Sequence, residues 1–450
     1  MHIDFLIENF KDKAHELAII WHDKYYTYQY LLDNIQKFGV LLKEKRISSG
    51  EIVGLIGDYT PNSISLLLAL IENNNIIAPF NNNPTVNNDL KYQIAQIGKF
   101  IEVDLNTDEI SFSSDINNNI TPCHDFYLQL RKSDSPGLVL FTSGTSGQPK
   151  GAVHNFTKLL EKFKTKRKSL RTVNFLLFDH WGGLNTLFHT ISNTGVVLAT
   201  KKRNPKDICE FIQKFKIELL PVSPTFLNLL ILSEVYKEYD LSSLLLISYG
   251  TEPMPINTLT KSKSIFPDVK FQQTYGLIEL GVLRSKSKSD DSLWVKVGGE
   301  GFDLRVVDNI LQIKADSAML GYLNAPSPFT EDGYFITGDF VEQDGEYLKI
   351  IGRKSEIINV GGEKVYPQEI ENVILDLENV LEVTVYGEKH AITGNIVCAR
   401  ISLKNEEDNL EFIKRLKTHC RTVLQKFMVP VKIVIEDGPL YNDRFKKVRN

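Results

Sequence analysis

Twice in the first half of the chain a short, wholly apolar run is followed by a helix-forming stretch and then a second apolar run. This alternation restricts the fold more than any single residue does. Ile52-Val-Gly-Leu-Ile56 has the uninterrupted apolar character of a strand buried on both faces. Thr60-Pro61 supplies an N-cap and a proline at the first helical position, Ser65 to Glu72 continues as helix, and Ile76 to Pro79 is the next strand. The stretch from Gly137 follows the same logic: a strand to Phe141, a loop, a helix from about Thr157, a strand near Asn174 to Phe178, a helix, and Val196-Val-Leu198. Such βαβ alternation favours parallel sheets covered by helices. Near Leu293 the pattern changes to short strand-like pieces with tight turns, Leu304 to Val307, Leu311 to Ala315 and Tyr347 to Ile351, which predicts a small β-rich subdomain.

Beyond Gly352-Arg353 the pattern predicts a separate, compact unit. Tyr366-Pro367 opens a helix whose apolar residues Ile370, Val373, Ile374 and Leu377 recur at i, i+3, i+4 and i+7. Val383 to Tyr386 and Ile396 to Leu403 read as strands, Leu410 to Phe427 as a second amphipathic helix, and Val431 to Ile435 as a last strand. The expectation is an α/β protein. Residues 1–352 form a large N-terminal domain of parallel sheets covered by helices plus the β-rich subdomain, and residues 353–450 a small, mobile α+β lid domain.

Bulk properties exclude several classes of function. A net charge of -4, with lysines interspersed among acids, makes no field for nucleic acid. Cys123, Cys209, Cys398 and Cys420 are scattered without C-x-x-C spacing, so neither a zinc knuckle nor a disulfide framework is indicated. Cys123 and His124 are adjacent, which in a strand sends them to opposite faces and argues against a nucleophile and its base. Met1-His-Ile-Asp4 does not begin a signal peptide, and the longest apolar run, Leu66 to Ile71, is too short for a bilayer. A cytoplasmic location without a transmembrane segment is expected.

Chemistry first becomes visible at Thr142 to Gly151, T-S-G-T-S-G-Q-P-K-G, directly after the apolar Leu138-Val-Leu-Phe141. Glycines let backbone N–H groups approach an anion, hydroxyls of Thr142, Ser143, Thr145 and Ser146 can donate to phosphoryl oxygens, and Lys150 adds a point charge. The order differs from a Walker A loop, because Pro149 precedes the lysine and Gly151 follows it. The decapeptide closely resembles the phosphate-binding signature of the adenylate-forming superfamily, which includes acyl-CoA synthetases, adenylation domains and luciferases. The resemblance implies ATP-dependent joining of a carboxylic acid to AMP with release of pyrophosphate, then transfer to a thiol. It implies ATP and Mg2+ as cofactors, and coenzyme A or the phosphopantetheine of an acyl carrier protein as acceptor. Thr142, Ser143, Gly144, Thr145, Ser146, Gly147 and Lys150 would hold the phosphates.

Further segments resemble the family's elements in its order. Gln273-Thr-Tyr-Gly-Leu-Ile-Glu279 resembles Y-G-x-T-E, which implies that Tyr275, between Thr274 and Gly276, packs on adenine and that Glu279 holds Mg2+. Ile278 stands where a hydroxyl residue is usual. Tyr334-Phe-Ile-Thr-Gly-Asp339 resembles the T-G-D element, implying that Asp339 accepts from the ribose hydroxyls. Gly352-Arg353, Ile357 to Glu363 and Tyr366 to Glu371 resemble the start of the C-terminal domain. Arg353 would contact ribose, and Gly361 and Gly362 would let the strand-turn approach a pantetheine arm. Ser355 occupies a hinge position usually Asp or Lys. In the tail Gly438 to Arg449, spacing to Arg449 selects Lys446 over Lys447 as the catalytic lysine, and Phe445 replaces a usual glycine. A solvated basic tail is the alternative.

Phe178-Asp-His-Trp-Gly-Gly lies where the family has an aromatic-histidine element beside the acid pocket, with a register ambiguous by one residue. With His180 in the histidine's place the chain resembles an acyl-CoA synthetase. With Asp179 there it resembles amino-acid-activating domains, and a helix start capped by Asp179 is a purely structural reading. Trp181 would shorten the pocket, and Tyr249, Gly250, Thr251 and Glu252 would form the opposite wall. Three functions stay open: an acyl-CoA synthetase or carrier-protein loader, a stand-alone amino-acid adenylation enzyme, and a weakened nucleotide-binding scaffold suggested by Ile278, Ser355 and Phe445.

Overall fold

A computed structural model of the chain describes residues 2–82, 88–114, 124–143, 148–442 and 445–447. It is a mixed α/β structure with a large N-terminal part and a smaller C-terminal one. Two seven-stranded sheets dominate the former. One runs in the order Lys270–Gln273, Leu246–Tyr249, Leu219–Val222, Arg171–Val173, Val196–Ala199, Leu17–Trp21, Lys24–Thr27, parallel except at the last pair. In the other, Gly137–Ser143, Ile76–Asn81, Ile52–Gly57 and Lys99–Val103 form a parallel centre with antiparallel strands at both edges. Apolar side chains from both sheets, among them Ile19, Val53, Leu55, Leu138 and Val197, share one core with helices Tyr28–Glu44, Pro61–Glu72 and Trp181–Ser192.

The helix Pro61–Glu72 shows why local sequence suffices for some elements. Thr60 accepts from the Ser63 N–H at 3.1 Å, proline fills the first helical position, and residues from Ser63 through Ile71 are buried. Burial on nearly every side explains the absence of a polar stripe.

A six-stranded antiparallel sheet follows, including Phe335–Asp344 and Tyr347–Arg353. The latter strand ends at Arg353, and Ile358–Val360 begins the next sheet. That sheet contains Val380–His390 and Gly394–Leu403, with Lys432–Ile435 pairing in parallel. Helices Pro367–Leu375 and Asn409–Val423 pack on it through Ile370, Ile374, Phe412 and Leu416. The C-terminal part rests on the N-terminal part through Gln368 Nε2, which donates to Met254 O at 3.4 Å, and through an Asn257–Asp376 side-chain hydrogen bond.

Several expectations are corrected. The strand near Asn174 to Phe178 is instead Arg171–Val173, because the chain turns as Phe175 N–H bonds back to Val173 O. The helix from Thr157 starts at Phe156, capped by Asn155, and tightens into a 3₁₀ turn after Leu160. Leu410 to Phe427 divides into Asn409–Val423 and the short turn Lys426–Met428. The stretch after Phe141 does not lead through its loop directly into a helix. It returns as the antiparallel strand Pro149–Asn155.

Candidate active site

That return builds one wall of the candidate site. In the hairpin, Thr142 opposes Lys150. Directly opposed residues of an antiparallel pair place their side chains on one face. Both line a cavity of about 660 Å3. Gly144, Thr145, Ser146 and Gly147, and the side chain of Ser143, lie outside the described residues. Asn324 secures the hairpin base: its Oδ1 accepts from Gly151 N at 3.1 Å and its Nδ2 donates to Pro149 O at 2.8 Å.

Glu279 lines the same cavity. Its Oε1 accepts from the hydroxyl of Tyr322 at 2.5 Å, and the Lys150 ammonium lies 5.5 Å from the Tyr322 ring centroid. Tyr322 therefore stands between the lysine and the carboxylate. Burial, then the Glu279 charge, pushes its phenol well above the ordinary value. Sequence reading missed Tyr322, because only its pairing with Ala152 across the sheet brings it to the hairpin.

Asp339 and Arg353 are opposed across their two strands, and Arg353 Nε approaches Asp339 Oδ1 at 3.1 Å. The other carboxylate oxygen accepts from the Tyr275 hydroxyl at 2.6 Å. Burial raises the Asp339 pKa against the pull of Arg353. Thr274, Gly276, Gly338 and Arg353 line the cavity, whereas Tyr275 and Asp339 do not. Tyr275, expected against adenine, instead packs in a core with Leu277, Leu280 and Val297.

On the side expected to hold the acid, the structure separates Asp179 from His180. His180 lines the cavity, and it, not Asp179, caps the helix: its Nδ1 accepts from Gly182 N at 3.0 Å. Asp179 is not part of the wall; its charge acts on the buried phenol of Tyr59. Trp181, 2% exposed, is on the wall. Opposite, Gly250 and Thr251 line the cavity. A Cβ at Gly250 would lie 2.4 Å from Thr274 Oγ1, so the close approach requires glycine. Tyr249 and Glu252 do not form this wall, contrary to expectation. Tyr249 is buried in the adjacent core, and Glu252 accepts from Thr225 N at 2.7 Å and Lys447 N at 3.4 Å.

The tail supplies the last component. Asn442 accepts through Oδ1 from Lys446 N at 3.2 Å, and its own N–H donates to Lys446 O at 3.0 Å. This tight turn sends successive side chains apart. Lys446 lines the cavity, while Lys447 Nζ pairs with buried Glu371 Oε2 at 2.8 Å. Phe445 has φ +50°, where glycine would be unstrained, and its ring lies 5.3 Å from both Phe175 and Phe226. Arg449 is outside the described residues. Ile278 and Ser355 also line the cavity. Gly361 and Gly362 do not: with φ +60° and +95° they form the exposed tip of the hairpin Ile358–Val360 and Glu363–Val365.

Comparison with known proteins identifies the family. Residues 99–334 match the AMP-binding enzyme family and residues 369–440 its C-terminal domain. A putative long chain fatty acid-CoA ligase, VraA, of Staphylococcus epidermidis is 24% identical, covering 99% of this chain and 96% of its own. The 2-succinylbenzoate–CoA ligase of Listeria innocua is 24% identical over 93% of this chain and 92% of its own. The crystal structure of the anthranilate CoA ligase AuaEII with anthranoyl-AMP superposes with a TM-score of 0.83 at 19% identity, covering 100% of this chain and 95% of that one. The chain thus belongs to the AMP-binding, adenylate-forming enzyme family, as an acid–thiol ligase of the AMP-forming type.

Proposed function

We propose that this enzyme activates a small carboxylic acid with ATP, forming acyl-AMP and pyrophosphate, and transfers the acyl group to the thiol of coenzyme A. The observation that carries this reading is convergence: Lys446 lines one cavity with Thr142, Lys150, His180 and Glu279, although a long stretch of sequence separates it from each of them. Attack of a carboxylate oxygen on the α-phosphorus joins two anions, and the pyrophosphate leaving group carries charge away. Lys446 in a partly desolvated cavity stabilises that transition state, and Lys150 with Thr142 holds the departing phosphates. In the second step the thiol attacks the acyl carbonyl, loses its proton and releases AMP. Activation as a mixed anhydride makes a poor electrophile reactive.

Glu279 fits a Mg2+ site of the kind built from one carboxylate and substrate phosphates, and Tyr322 orients it. There the ion would neutralise phosphate charge. Arg353, held by Asp339, would bind the ribose edge, and His180 with Trp181, Gly250 and Thr251 would surround the acid. The wall position of His180 favours this assignment over amino-acid activation, since Asp179 is not placed to receive an ammonium. Both relatives are named as CoA ligases, one for a long chain fatty acid and one for 2-succinylbenzoate, which supports coenzyme A as acceptor while differing in the acid.

ATP/pyrophosphate exchange across a panel of acids tests the reading. Exchange with at least one acid is expected, and none with any acid would sink it. Lys446→Ala should reduce exchange by at least about a hundredfold, the scale of losing one charged transition-state contact, yet leave thioester formation from supplied acyl-AMP nearly intact. Equal loss in both half-reactions would contradict the role of Lys446.

A further inference from the structure

Glu252 grips the peptide unit that follows Lys446. Its Oε2 accepts from Lys447 N at 3.4 Å, and that N–H lies in the same planar unit as the carbonyl of Lys446. The carbonyl end accepts from Asn442 N at 3.0 Å. One end of the unit is therefore held from within the tail, the other from the N-terminal part of the structure. The Phe445 ring also meets that part, at Phe175 and Phe226, but apolar packing is non-directional. It brings the tail close without fixing how the peptide is turned.

A local, structural role accounts for only half of this carboxylate. Glu252 Oε1 accepts from Thr225 N at 2.7 Å at the start of the helix Pro224–Ser233. That helix has its own cap, Ser223, whose Oγ accepts from Phe226 N at 3.1 Å. The second oxygen of Glu252 reaches a residue 195 positions away. Lys447 is pinned from its other end as well. Its ammonium pairs with Glu371 Oε2 at 2.8 Å, and Glu371 Oε1 accepts from Val385 N at 3.0 Å. Glu371 and Val385 both belong to the C-terminal part, so this pair fixes Lys447 only within its own part. Glu252 supplies the link to the side of the cavity.

We propose that Glu252 is a positioning residue for the acid-activating step: without lining the cavity itself, it holds the Lys446–Lys447 peptide so that Lys446 stays directed into it. The inference rests on the role given to Lys446 in the proposed function. A carboxylate suits the position because both of its partners are N–H donors. An amide there can still accept from Thr225 through its oxygen, but its NH2 then faces the Lys447 N–H, donor against donor.

Glu252→Gln is therefore the test, since it spares the helix start and breaks the tail contact. With whichever acid of the panel supports pyrophosphate exchange, its kcat should fall about three- to tenfold, the scale of one long hydrogen bond to a carboxylate, with KM for ATP and acid little changed. Thioester formation from supplied acyl-AMP should keep its wild-type rate. Hydrogen–deuterium exchange of the tail peptide containing Lys447 should quicken, while the helix Pro224–Ser233 keeps its protection. Glu252→Ala should lose as much pyrophosphate exchange and in addition lower the melting temperature, because it also frees Thr225 N. A purely structural role would leave Glu252→Gln like the wild type, or slow both half-reactions alike in both variants; either result overturns the proposal. A wild-type enzyme that exchanges with some acid and is matched by Glu252→Gln removes this inference alone, whereas no exchange with any acid removes the parent reading with it.

Discussion

Replacement of Phe445 separates two opposing effects that the structure places on one residue. Its backbone is left-handed at φ +50°, which costs a non-glycine residue about 1–2 kcal/mol. Against that, its ring meets Phe175 and Phe226 of the N-terminal core, each at 5.3 Å, and stacks on Tyr441 of its own tail at 5.2 Å. Aromatic pairs contribute about 0.5–1.5 kcal/mol each beyond area burial, so the two pairs that dock the tail supply roughly 1–3 kcal/mol, with further apolar burial added. Phe445→Gly loses the ring but relieves the backbone, a net loss of about 1–2 kcal/mol. Phe445→Ala loses the ring and keeps the strain, about 1 kcal/mol worse. Because Lys446 is the next residue, undocking withdraws it from the cavity. Pyrophosphate exchange at subsaturating acid should fall roughly tenfold in the glycine variant and about fivefold further in the alanine variant. Thioester formation from supplied acyl-AMP should change little. A glycine variant as fast as wild type, or glycine and alanine variants that are indistinguishable, would refute the argument that the ring outweighs the strain.

Tyr322→Phe removes the hydroxyl that holds Glu279, and the Mg2+ concentration for half-maximal exchange should rise about tenfold, the scale of a hydrogen bond to a charged group. An unchanged Mg2+ dependence would show that Tyr322 does not position the carboxylate. Asp108 is 7% exposed, accepts from Asn62 N at 3.1 Å, and burial pushes its carboxyl up to about 6. Its folded pKa exceeds the unfolded value of about 3.9, so its favourable contribution is complete below that value and lost as pH rises through 6. Asp108→Asn should therefore stabilise the protein at pH 8 by on the order of 2 kcal/mol, and the gain in melting temperature should vanish near pH 4. A gain independent of pH would contradict the titration argument.

Elements specified within a turn or two were legible in advance. Thr60-Pro61 starts its helix where expected, and the spacing of Ile370, Val373 and Ile374 marks the face that packs on the C-terminal sheet. Motif order brought Lys150, Glu279, Arg353 and Lys446 together in expectation, and all four line one cavity. The errors arose where long-range pairing decides. A strand running into a phosphate loop reads identically whether the chain continues into a helix or folds back, and here Pro149–Asn155 folds back.

By itself the sequence determined the layered α/β class, the principal helix starts and the residue types of a phosphate and nucleotide site, because caps, periodicity and loop chemistry depend on neighbours in the chain. Only the tertiary structure decided that His180 and not Asp179 faces the cavity, that Lys446 enters it while Lys447 pairs with Glu371, and that Tyr322 holds Glu279. Adjacent residues differ in sequence by one position, but the direction of each side chain is set by a partner far away in the chain, such as the Phe175–Phe226 pocket that orients the tail.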